Sequence, residues 1–133
     1  MTIGATPRKD ITMSRLLRTL PVAGVILLAA TAQALAHAHL KTASPSEKVE
    51  AAAPAEINLG FTEALDLKFS GIAVVGADKK DVTLGDAVLK DDGKSLVAPV
   101  TGTLAPGAYT VNWHVLSVDG HKTNGSYTFT VKP

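Results

Sequence analysis

Apolar and polar residues alternate most regularly near the C-terminal end of the chain. In "AYTVNWHVLS" (108–117), Tyr109, Val111, Trp113 and Val115 fall on one side. Thr110, Asn112 and His114 fall on the other. In "SYTFTVK" (126–132), Tyr127, Phe129 and Val131 repeat the pattern. A period of two belongs to a strand with one face buried, so these apolar sets are expected in a core. Shorter β-branched runs precede them: "HAHLKTA" (37–43), "EINLGF" (56–61), "SGIAVVG" (70–76), "DVTLG" (81–85) and "SLVAPV" (95–100). Turn-forming clusters separate the runs: "SPSE", "GADKKD", "KDDGK", "LAPG" and "KTNGS". "TEALDLKF" reads as a short helical turn or an irregular loop. Ala51 to Ala55, broken by Pro54, reads as loop. About seven short strands predict an all-β fold, a Greek-key sandwich or barrel of immunoglobulin or cupredoxin type.

The first thirty-six residues follow a different pattern. Arg8, Lys9, Arg15 and Arg18 come early, and no charge appears from Thr19 to Ala36. The stretch contains "VAGVILLAA" and ends in "ALA", a small-x-small site of the kind signal peptidase accepts. Residues 1–36 are therefore expected to be a signal peptide, with Met13 an alternative start. No Arg-Arg pair is present, which favours the general secretory route. A retained anchor is the competing reading. Its uncharged run would be at the short limit for a spanning helix, and Pro21 and Gly24 interrupt it. The mature domain is then 37–133, long enough to bury one core.

Charge and composition narrow the chemistry. Residues 37–133 hold nine lysines against eleven aspartates and glutamates, so neither nucleic acid nor an anionic lipid surface is an expected partner. The chain has no cysteine, and its two methionines, Met1 and Met13, both precede residue 37. All four histidines, His37, His39, His114 and His121, lie at or after it. The domain thus offers imidazole, carboxylate and amine donors without sulfur. Such a set suits Cu(II), Zn(II) or Ni(II) and does not suit Cu(I).

Two stretches concentrate these donors. Cleavage after Ala36 would leave His37 with a free amine beside its imidazole, a strong chelating pair. In "SVDGHKTNG" (117–125), Asp119 and His121 are two apart across Gly120. In an extended segment such residues project to one side, with Cα atoms roughly 6.5 Å apart. Together the His37 amine, the His37 imidazole, His121 and Asp119 make three nitrogens and one oxygen. A tetragonal N,O set favours Cu(II). A rival mode wraps the ion in a plane with the amine, two backbone amides and the third-position His39, and needs neither Asp119 nor His121. His114 is a lone strand histidine and Glu63 ends a strand; each is a lesser candidate ligand.

"HAHLKTASP", "INLGFTEAL" and "LAPGAYTVNWHVLSVDGHKTNGSYTFTV" together resemble the CopC copper-resistance family, in particular its YobA-like members. The likeness spans the whole predicted mature chain. It implies a small monomeric periplasmic β-sandwich binding one Cu(II), with the leading histidine falling on His37 and the D-x-H pair on Asp119 and His121. An acid near the copper in some members falls on Glu63. The Met-rich Cu(I) segment of other members is absent here. An inner-membrane CopD-type protein is the implied partner. The expected function is copper carriage or buffering in copper homeostasis or resistance, without catalysis. Two other classes compete: a copper oxidoreductase of monooxygenase type, and an immunoglobulin-like assembly module with incidental histidines.

Overall fold

The computed structural model describes Gly4 and residues 38–133. The signal-peptide reading and His37 lie outside the described residues. Among the described residues eight strands form: β1 (Leu40–Ser44), β2 (Glu50–Ala51), β3 (Glu56–Phe61), β4 (Gly71–Gly76), β5 (Val88–Lys90), β6 (Ser95–Pro99), β7 (Gly107–Leu116) and β8 (Lys122–Val131). They make two four-stranded sheets, ordered β1-β3-β6-β5 and β2-β8-β7-β4. All neighbours are antiparallel except β2 and β8, which pair in parallel.

The core lies between the sheets, where alternation predicts it. Tyr109, Val111 and Val115 from β7 are buried, with Tyr127, Phe129 and Val131 from β8. Ile57, Leu59 and Phe61 of β3 oppose them, with Leu96 of β6. Phe61 and Trp113 meet edge to face across the sandwich at 5.1 Å, a favoured geometry for aromatic rings. Trp113 itself is only half-buried. Its indole lies over Gly125, where a Cβ would stand 2.5 Å from the ring, so only glycine fits.

Several boundaries differ from the sequence reading. Residues 81–85 form isolated bridges at Asp81 and Leu84 rather than a strand. "KTNGS" is the first half of β8, not a turn, because β7 and β8 pair from Gly107↔Val131 to Leu116↔Lys122. The turn falls earlier, at 117–121, where Gly120 takes φ +92°. The short strands β2 and β5 have too few residues to show a period. A 3-10 turn at Leu67–Phe69 fulfils the helical option for "TEALDLKF", with the Asp66 carboxylate accepting from Lys68 N–H at 3.0 Å.

Candidate metal centre

The β7–β8 turn holds Asp119 and His121, and bonds within it and from the segment after β3 fix it. Strand alternation carries Ser117, next on the core face after Val115, to a nearly inaccessible position, 1% exposed. Its hydroxyl donates to Asp119 Oδ1. The same oxygen accepts from His121 N–H at 3.3 Å, and Asp119 Oδ1 also accepts from that N–H at 3.3 Å. The Ser117 and Gly120 amides donate to His121 O and Ser117 O, each at 2.9 Å. From outside, the segment after β3 braces the turn: Val118 N–H donates to Ala64 O at 3.0 Å, and Asp66 N–H donates to Leu116 O at 2.8 Å.

The outcome is a matched pair. Asp119 Oδ2 lies 3.1 Å from His121 Nδ1, with both side chains a little over a third exposed. The Ser117 hydroxyl, then His121, hold the Asp119 carboxyl below the ordinary carboxylate range. The pair does not form in the extended segment expected from sequence. Residues 118–120 are turn and bend, and the positive φ of Gly120 brings the two side chains together.

The other candidates divide. The segment following His37 is tied to this end of the sandwich. Ala38 is fully buried, and Thr123 Oγ1 donates to its carbonyl at 2.8 Å. His39 N–H donates to Thr62 Oγ1 at 3.0 Å, and Thr62 N–H donates to His39 O at 3.0 Å. Glu63, half-buried, stands between Thr62, bonded to His39, and Ala64, bonded to Val118. His114 goes elsewhere: it pairs with Asn124 on the outer face of its sheet, the face opposite Val115. Among the described residues no three His, Asp, Glu or Cys side chains gather around one point. Asp119 and His121 bring one carboxylate and one imidazole together there.

Sequence reasoning misses Ser117, Thr123 and Thr62, the residues that hold the candidate donors. The first two carry a readable signal. Ser117 continues the buried alternation of β7 into the turn, and Thr123 falls on the inward face of β8 with Gly125 and Tyr127.

A CopC domain model matches residues 40–132. The protein YobA of Escherichia coli K12 is 46% identical over 99 residues, covering 73% of this chain and 80% of that one. Copper resistance protein C of Pseudomonas syringae pv. tomato is 38% identical over 120 residues, covering 86% and 93%. Among solved structures, CopC from Methylosinus trichosporium OB3b superposes with a TM-score of 0.67 at 36% identity, covering 73% of this chain and 95% of that one. PcoC from Escherichia coli, described as a methionine-rich copper resistance protein, gives 0.65 at 37%, covering 73% and 100%. The chain belongs to the CopC family.

Proposed function

We propose that residues 37–133 are an exported carrier or buffer for one Cu(II) ion, acting in copper resistance or homeostasis outside the inner membrane. The ion is held by the His37 amine and imidazole, freed by cleavage after Ala36, with Asp119 and His121. The observation that carries this reading is the 3.1 Å pair of Asp119 Oδ2 and His121 Nδ1. Donors about 2.0 Å from an ion in neighbouring tetragonal positions lie about 2.8 Å apart, so the pair suits two adjacent positions with little movement. The lowered pKa of Asp119 supports it too, because a ligand carboxyl must be ionised.

Anchoring of the next residue supports the role of the terminus. Consecutive Cα atoms are about 3.8 Å apart, so whatever precedes Ala38 is tethered to a residue that Thr123 holds. Thr123 lies near the start of β8, two positions after His121 in the chain. The amide-wrapped alternative fits less well. It needs the Ala38 and His39 amides deprotonated and wrapped around the ion. Ala38 is buried, and the His39 N–H is already donated to Thr62.

The test is intact mass and Cu(II) titration of protein recovered from the exported fraction. A mass beginning at His37 and one equivalent of Cu(II) are expected. His121→Ala and Asp119→Ala should each weaken binding by about 100-fold or more, and His39→Ala by less. Preceding His37 with a methionine turns its amine into an amide and should weaken binding comparably. Loss of binding in His39→Ala with retention in His121→Ala would replace this site with the amide-wrapped one.

A further inference from the structure

Beside the turn, on the outer face of the β2-β8-β7-β4 sheet, lies an open cleft of about 380 Å³. Lys68 and Phe69 of the 3-10 turn form one wall, and His114, Lys122 and Asn124 form the other. The register explains the second wall: His114 and Asn124 are cross-strand partners, and Lys122 lies two residues from Asn124 on the same face. Gly71, the other cross-strand partner of His114, has no side chain, and the imidazole occupies the space above it.

The cleft departs from the rest of the surface in charge and in polarity. Acidic residues outnumber lysines in residues 37–133, yet no carboxylate lines this cleft. Lys68 and Lys122, like the other lysines of the described residues, belong to no ion pair. Lys68 Nζ instead stands 5.6 Å from the centre of the Phe69 ring. Phe69 is 52% exposed. Of the five large apolar side chains exposed among the described residues, Leu67, Phe69 and Val118 all belong to this turn and the adjoining β7–β8 turn. A cluster of exposed apolar side chains including an aromatic marks a protein-binding patch, and the two lysines give this one a positive charge. A small-molecule pocket would enclose most of its ligand, which this open cleft does not.

We infer that this cleft docks a carboxylate-bearing segment of a partner protein, with Lys68 and Lys122 pairing its acids and Phe69 covering its apolar side chain. Val118 precedes Asp119 and Lys122 follows His121, so the docked segment lies against the Asp119–His121 turn. The inference does not depend on which ion that turn holds.

The experiment titrates isotope-labelled exported protein with a synthetic nonapeptide of alternating Glu and Asp around a central Leu. A Lys-for-acid counterpart and citrate serve as comparisons. Amide shifts should concentrate on Lys68, Phe69, His114, Lys122 and Asn124 and weaken as salt rises. Lys68→Glu combined with Lys122→Glu should lower peptide affinity at least about tenfold, and Phe69→Ala about fivefold. Shifts spread equally over Lys79, Lys80, Lys90 and Lys94, equal binding of the basic peptide, or binding of citrate alone would overturn the inference. Cu(II) titration of Phe69→Ala separates the two readings. Lost peptide binding with intact copper binding supports the dock, and intact peptide binding refutes it, whatever the copper result.

Discussion

Thr123 donates its hydroxyl to the carbonyl of Ala38 at 2.8 Å, a contact between residues 85 positions apart. It ties the segment before β1 to the strand that leaves the Asp119–His121 turn. The acceptor belongs to a fully buried residue, so no solvent replaces the bond cheaply.

Thr123→Val keeps the shape and removes the donor. Stability should fall by about 1 kcal/mol, the usual net value of one such bond. If the proposed His37 amine is a ligand, Cu(II) affinity should fall about tenfold, because the residue that follows it, Ala38, loses its tie to β8. Denaturant unfolding and competitive Cu(II) titration measure the two effects. Weakened stability with unchanged affinity would show that Thr123 holds the fold and not the site.

Ser117 orients Asp119 from beneath. Its hydroxyl is the chief reason the Asp119 carboxyl titrates below the ordinary range. A carboxyl with its folded pKa below the unfolded one stabilises the fold above the unfolded value, near pH 3.9. That contribution is lost as pH falls through the folded value. Ser117→Ala should return the Asp119 pKa towards normal, as read by carboxyl NMR shifts in metal-free protein. It should also lower Cu(II) affinity by about 10–100-fold, the usual cost of losing a group that orients a ligand. An unmoved Asp119 titration would mean that His121 alone sets it.

Much of this architecture is legible in the sequence, and the reason is burial on one face. Tyr109, Val111 and Val115 must point inward, which leaves Thr110, Asn112 and His114 outside. The same rule sets His114 apart from the core face. The turn is harder to read. "KTNG" has turn composition, yet ladder pairing with β7 draws it into β8. The positive φ of Gly120 brings Asp119 to His121 in a way that strand spacing does not reveal. Thr62 and Thr123 are less legible still, because their role exists only once distant segments meet.

Tyr127 offers a measurement at the opposite end of the pH scale. Burial pushes its phenol up to about 12, against about 10 in an unfolded chain. Between those values the unfolded chain releases the proton and the folded chain keeps it. Stability therefore falls as pH rises from about 10 to 12 and levels beyond. Its hydroxyl has no hydrogen-bond partner among the described residues. Tyr127→Phe should raise stability near neutral pH by about 1 kcal/mol and flatten the alkaline decline relative to the parent. Urea unfolding at pH 8, 10 and 11 supplies the comparison. An equally steep decline in both proteins would remove Tyr127 as its source.

Reduction provides the sharpest test of the donor set. From residue 37 onward the chain has neither methionine nor cysteine, so Cu(I) would find only nitrogen and a carboxylate. Cu(I) prefers sulfur, whereas Cu(II) is well served by a near-planar N,O set. The protein should hold Cu(II) against competing chelators and lose the metal when ascorbate is added at fixed pH. A chromogenic Cu(I) chelator reports the released ion. Release by reduction would let copper pass to a sulfur-bearing acceptor. Acid should release the metal by a separate route, because imidazoles with an ordinary pKa near 6.5 must be neutral to coordinate. Retention of Cu(I) as tight as that of Cu(II) would show that a donor outside this set holds the reduced ion.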